Sequence, residues 1–251
     1  MLTGRLLAPV LDVIALKVKD IDKELFFYKE LLNLDVLIEE NGIAYVGTKA
    51  NNDTLFSLYE DPDSYKTTEN RNGLLDYSLY FPTRESFEQV ETNFRNANYK
   101  YEYSKVGQGL KINVVDPEGN HLSICFEEAL YFENSAPILG KIKLDVVDEE
   151  KSHVFYQKIL GFYTQTYKER RIYQPSKNKI GALQFEMRSG LPSEDDVLGL
   201  DYLAFKMPNK QSIAHLSNYL KENNQEFYLS RAGDLLQIDD PNGIHLWFYL
   251  R

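Results

Sequence analysis

The sequence is poor in the residues that most reactive chemistry depends on. A single cysteine, Cys125, excludes an internal disulfide. There are only four histidines, His121, His153, His215 and His245. A zinc- or iron-type centre needs at least three converging imidazole, thiolate or carboxylate groups, so this supply is thin and no metal or other cofactor is expected. His-Glu-x-x-His and Gly-x-Ser-x-Gly, which mark zinc proteases and serine hydrolases, do not occur. Long hydrophobic runs are missing as well. The apolar patch Leu6-Leu7-Ala8-Pro9-Val10-Leu11 is cut by Asp12 and Lys17 long before a signal or membrane segment is complete, so a cytoplasmic location without a membrane partner is the default. Basic residues are outnumbered, 28 against 38 acidic, giving a formal charge of -10 and a pI near 5.0. Phosphate backbones need a basic surface, so no nucleic-acid partner is expected.

What is present is an ordinary globular composition, 43% hydrophobic and 26% charged over 251 residues, enough for one large domain or two of usual size. An internal repeat decides between them. Val13 to Asp20, followed by Phe27-Tyr28 and Leu31-Leu32, matches Lys141 to Asp148, followed by Phe155-Tyr156 and Ile159-Leu160. Leu75-Asp76-Tyr77 recurs as Leu200-Asp201-Tyr202, and Asp116-Pro117-Glu118-Gly119-Asn120-His121-Leu122 recurs as Asp240-Pro241-Asn242-Gly243-Ile244-His245-Leu246. Landmarks in the same order at slowly drifting spacing indicate a duplicated unit with small differences in loop length.

Within each copy the apolar period alternates between 2 and 3.6, which reads as strand, helix, three strands, twice over. Ile14, Leu16 and Val18 alternate with Val13, Ala15 and Lys17 along a two-faced strand. Asp20 is placed to cap a helix lined by Leu25, Tyr28, Leu31 and Leu32, with Asn33, or Gly161 in the second copy, at its left-handed end. A second helix follows Pro82-Thr83 with Phe87, Val90, Phe94 and Ala97 on one face. Its counterpart follows Pro208-Asn209 with Ile213, Leu216 and Leu220. Asp-Pro-x-Gly then makes a tight turn into the last strand, with Gly119 and Gly243 at positive φ.

The first-strand form x-I-A-L-x-V-x-D, the helix carrying Phe-Tyr and the closing D-P-x-G-x-x-L hairpin resemble the vicinal-oxygen-chelate superfamily of glyoxalases, bleomycin-resistance proteins and dioxygenases. The resemblance implies an α+β fold of two tandem domains, residues 1–133 and 134–251. Each would be a pair of βαβββ modules forming a cupped mixed β-sheet with helices outside. Active members hold a divalent metal in the cup with His on the first strand, His on the fifth and Glu on the eighth. The matching positions here are Val13 and Lys141, Tyr77 and Tyr202, and Ser123 and Trp247, which are not a ligand set. A divalent-metal enzyme of the glyoxalase or extradiol dioxygenase type is therefore the alternative reading rather than the first.

The polar loop Glu60-Asp61-Pro62-Asp63-Ser64-Tyr65-Lys66 and the ending Asp240 to Phe248 also resemble the CppA family. That resemblance implies complement-degrading proteinase activity, a host or other protein partner, and a surface-associated location as the counterpart of the cytoplasmic default. The residues themselves offer one candidate for such catalysis. His121, Ser123 and Cys125 alternate with Leu122, Ile124 and Phe126 and should face the cup. Alternate residues lie roughly 6.6 Å apart along a strand, so His121 meets Ser123 only if its ring folds back. In the second copy the same logic puts His245, Trp247 and Tyr249 on one face with Lys141, Lys143 and Tyr202. With Tyr77 from the first copy, Lys141, Lys143, Tyr202, His245 and Trp247 form a candidate ligand-binding set whose lysines suit a small anionic ligand. The acidic turn Ser193-Glu194-Asp195-Asp196 reads as a solvated loop. The function expected is a metal-free binding module, with proteolysis implied by resemblance only.

Overall fold

The computed structural model describes residues 8–66, 73–130, 135–167, 170–176, 180–188 and 191–250. The expected domain boundary at 133/134, and Leu6 and Leu7 of the apolar patch, lie outside these. Four βαβββ modules follow one another. The first comprises β1 (Val10–Val18), α1 (Ile21–Leu25), β2 (Asp35–Glu40), β3 (Ile43–Thr48) and β4 (Asp53–Glu60). The second has β5 (Leu74–Tyr80), α2 (Arg84–Asn96), β6 (Tyr101–Val106), β7 (Gly109–Val115) and β8 (His121–Phe126). The third has β9 (Ile138–Asp145), α3 (Glu149–His153), β10 (Tyr163–Tyr167), β11 (Arg170–Gln174) and β12 (Ala182–Glu186). The fourth has β13 (Gly199–Lys206), α4 (Lys210–Glu222), β14 (Tyr228–Leu229), β15 (Leu235–Asp239) and β16 (His245–Tyr249).

The capping residues act as the sequence suggests. Asp20 accepts from the Lys23 amide and Asp148 from the amides of Glu150 and Lys151, while Asn33 and Gly161 take φ of 57° and 71°. Both α1 and α3 widen after one turn into π-helix, over Phe26–Leu31 and Val154–Ile159. The wider turn brings the consecutive pairs Phe27-Tyr28 and Phe155-Tyr156 into the core together.

Each module pair forms an eight-stranded mixed sheet, but the pairing is crosswise. One sheet runs β14-β15-β16-β13-β1-β4-β3-β2 and the other β10-β11-β12-β9-β5-β8-β7-β6. The first module thus closes on the fourth, through antiparallel β1–β13, and the second on the third, through antiparallel β5–β9. This corrects the expectation that modules pair within 1–133 and within 134–251. A repeat period identifies modules but carries no information about which of them exchange hydrogen bonds.

The inner faces of both sheets and the helices share one apolar core. Tyr28 packs on Phe56 of the first sheet (centroids 4.6 Å), and Phe56 reaches Tyr77 of the other (5.8 Å); Phe162 meets Phe205 at 5.6 Å. The opposite faces, which form the two cups, are directed outward.

The Asp-Pro-x-Gly and Phe-Tyr signatures are a lock between hairpin and helix. Asp116 accepts from the amides of Gly119 (2.8 Å) and Asn120 (2.7 Å), and the Tyr28 hydroxyl donates to it at 3.3 Å. Asp240 accepts from the amides of Asn242 (2.7 Å) and Ile244 (2.9 Å), the Asn242 side chain (2.8 Å) and the Tyr156 hydroxyl (3.0 Å). Both carboxyl groups are buried, and burial raises their pKa values against those hydrogen bonds. The motif that identifies the fold therefore serves structure, on the side of the sheet away from the cups.

Candidate functional site

The parallel pairs at the centre of each sheet assign every cup residue. In β13–β16, Tyr202 lies opposite His245 and Ala204 opposite Trp247; in β5–β8, Tyr77 lies opposite Leu122 and Ser78 opposite Ser123. Leu122 and Leu246 occupy matching core positions, so Tyr77 matches Leu203, and the cup position that matches Tyr202 is Asp76. The identical Leu-Asp-Tyr triplets are out of register by one residue, which turns the side chains to opposite faces. Tyr77 is accordingly removed from the ligand-binding set. It is fully buried, with its hydroxyl 2.6 Å from that of Tyr28 and 3.4 Å from Asp116 Oδ2.

The remaining candidates divide between the two cups. Tyr202 and Trp247 share the first sheet's cup, where their rings stack with centroids 3.8 Å apart and planes within 3°. Beside them opens a cavity of about 400 Å³ lined by Val13, Tyr45, Thr54, Ala204, Leu235 and Tyr249. Burial raises the Tyr202 hydroxyl to about 12, so it stays a neutral hydrogen-bonding group at physiological pH. His245 stands at the edge of this cup and lines a neighbouring hollow with Trp247. Lys141 and Lys143 are in the other cup, together with Ser123 and Cys125. The single six-residue set expected from the sequence is corrected because the cups form between modules from different halves.

In that second cup Ser123 Oγ donates to Asp76 Oδ1 (3.1 Å), and Asp76 Oδ2 is 3.0 Å from Lys143 Nζ. Gln184 and Glu186 continue the polar floor, with Gln184 donating to Glu186 at 3.2 Å. His121 is exposed at the end of β8 and lines an edge groove with Tyr101 and Val115. It makes no hydrogen bond to Ser123 among the described residues, so no imidazole is placed to activate that hydroxyl. The Cys125 thiol is buried, and burial raises it to about 12, which leaves it protonated and a poor nucleophile at neutral pH.

The sequence reading missed Asp76, Tyr80, Lys111 and Asn113, although strict alternation along Asp76-Tyr77-Ser78-Leu79-Tyr80 carried the signal. Tyr80 lies across Gly140, where an added Cβ would run into the ring and come within 2.6 Å of Ser78 Oγ.

A divalent metal of the type implied by the fold does not fit the residues present. The first cup offers Val13, Ala15, Tyr202 and Trp247 at its centre. In the second, the Lys143 ammonium holds the one central carboxylate, Asp76. Among the described residues no group of three His, Cys, Asp or Glu is arranged to bind a metal ion.

The acidic turn is solvated at Asp195 and Asp196, as its composition suggests, and it is also pinned at several points. Lys17 donates to the Asp195 carbonyl, Tyr65 Oη donates to Glu194 (2.8 Å), and the Ser193 amide donates to the Asn242 carbonyl (2.8 Å). His245 completes the strap, with Nδ1 2.6 Å from Asp239 and Nε2 3.0 Å from Asp195. Burial pulls the His245 pKa down, but the bonds to Asp239 and Asp195 outweigh it and the net shift is upward. The strap's contribution is therefore full below the unfolded histidine value of about 6.5 and is lost as pH rises through the higher folded value. Urea midpoints measured from about pH 6 to about pH 9 should fall in the wild type and fall less in His245→Ala. Equal slopes would remove His245 from the strap.

Residues 135–248 match the family model of the CppA C-terminal domain. A comparison with curated proteins finds no match. Among solved structures, a candidate dioxygenase from Bacillus subtilis subsp. subtilis str. 168 superposes with a TM-score of 0.75 at 13% identity, covering 96% of this chain and 84% of that one. Glyoxalase I from Zea mays gives 0.70 at 16% identity over 98% and 94%, and the cppA protein of Streptococcus pneumoniae TIGR4 gives 0.67 at 15% over 98% and 100%. At these identities the structural likeness establishes the fold. Residues 135–248 are thus similar to the CppA C-terminal family, and the chain as a whole has the tandem vicinal-oxygen-chelate fold.

Proposed function

We propose that this chain is a metal-independent binding protein whose first cup takes a small planar, largely apolar molecule against the Tyr202–Trp247 pair. The stack carries this reading. Two aromatic rings stand at the centre of the cup, in place of charged or imidazole groups, and the adjoining cavity of about 400 Å³ is of the size used for small ligands. Flat aromatic surfaces favour offset stacking with a planar guest.

Trp247 is the sole tryptophan, so emission excited at the red edge of the indole band, where the 18 tyrosines barely absorb, reports on this cup. Titrating EDTA-treated protein with small planar aromatics should give a saturable change in emission that added zinc or manganese leaves unaltered. Binding that requires the metal would favour the glyoxalase or dioxygenase reading.

Proteolysis of complement, which the family resemblance suggests, finds no activated nucleophile in either cup among the described residues. Highly purified protein incubated with intact complement component should leave it uncut, and a His121→Ala, Ser123→Ala, Cys125→Ala variant should behave identically on a gel. Cleavage by the wild type that disappears in the folded variant would establish a proteinase on β8.

A further inference from the structure

The second cup departs from the first in a way that points to a different ligand. Position for position, strand pairing sets Lys141 against Val13, Lys143 against Ala15, and Lys111, opposite Cys125, against Leu235, opposite Tyr249. Where the first cup has three apolar side chains, the second carries three ammonium groups, in a protein whose net charge is -10. The nearby carboxylates are already engaged. Asp76 takes Lys143 at 3.0 Å and the Ser123 hydroxyl, and Glu186 takes Arg170 and, at 3.1 Å, Arg188. Lys111 and Lys141 have no carboxylate within ion-pairing distance among the described residues. Lys141 is only partly exposed, and burial, then repulsion from Lys143 and Lys111, lowers its pKa. Ammonium groups crowded on one concave face raise the local potential, and an anion arriving there relieves both the repulsion and the missing partner. Neutral donors adjoin them: Asn113, whose Oδ1 lies 3.3 Å from Ser123 Oγ, and the Tyr80 hydroxyl, which stays protonated because burial raises it.

We propose that the β5–β12 cup is an anion site that binds a small carboxylate- or phosphate-bearing molecule between Lys141 and Lys111, with Lys143–Asp76 as its fixed wall. The site is independent of the aromatic cup and does not rest on the ligand proposed there.

The test is calorimetric titration of the full chain with inorganic phosphate and, separately, with succinate, which distinguishes the two anion chemistries. At least one should bind one-to-one, more weakly as salt rises, and Lys141→Met or Lys111→Met should weaken it about tenfold or more, while Trp247→Phe leaves it unchanged. Absence of binding by both probes up to about 10 mM, or equal binding by wild type and both lysine variants, overturns the proposal, the latter marking an adventitious ion only. Should the variants not fold, acetylation of Lys141 in the wild type, followed by mass spectrometry, gives a second reading. The binding anion should slow it, and an unchanged rate counts against the site.

Discussion

Asp240→Ala should destabilise the chain by about 3–5 kcal/mol, the cost typical of removing a buried, multiply bonded charged acceptor. The substitution withdraws the partner of two backbone amides, an asparagine side chain and the Tyr156 hydroxyl, and leaves these donors in a place water does not reach. Tyr156→Phe removes a single donor from that set and should cost only about 1 kcal/mol. Asp116→Ala should cost less than Asp240→Ala, because Tyr28 and Tyr77 keep their 2.6 Å hydrogen bond to each other. Urea denaturation of the variants checks the order. A loss below about 1 kcal/mol for Asp240→Ala would mean that the turn is held by its backbone alone.

The lock also explains how far the sequence could be read. Repeated landmarks such as Phe-Tyr and Asp-Pro-x-Gly are legible because they sit where packing leaves few alternatives, and they place the helices and the turns correctly. The cups were not legible in the same way. Aligning Leu75-Asp76-Tyr77 with Leu200-Asp201-Tyr202 by identity put Tyr77 in a cup, whereas a one-residue difference in register sends it to the core and brings Asp76 forward. Lys141 and Trp247 were grouped because they share a half of the chain, yet hydrogen bonding between modules assigns them to separate sheets. The acidity of the strap over 193–196 is visible in the sequence and matches its exposed carboxylates, but its anchoring is not, because its partners Lys17, Tyr65 and His245 lie between 50 and 178 residues away.

Trp247→Ala should weaken ligand binding in the first cup roughly tenfold to a hundredfold, or about 1.4–2.8 kcal/mol, since a central aromatic contributes far more than the contacts at its rim. Its cost in stability should stay below about 2 kcal/mol, because the ring lies on the outward face of the sheet and the residues of the shared core do not lean on it. Tyr202→Ala should act in the same direction and show coupling with Trp247→Ala, since each ring holds the other flat. Lys141→Met should leave this binding unchanged, as the two cups open on different sheets.

Binding at the aromatic pair without a metal is what separates this cup from a glyoxalase or dioxygenase site. It is tested most directly by following the single indole Nε1–H cross-peak of Trp247 in a proton–nitrogen NMR spectrum as a planar aromatic ligand is added to EDTA-treated protein. This cross-peak should shift with the same saturation curve as the ligand's own signals. A ligand that binds while the cross-peak stays still, or a shift that requires a divalent metal, would contradict metal-free binding at the pair.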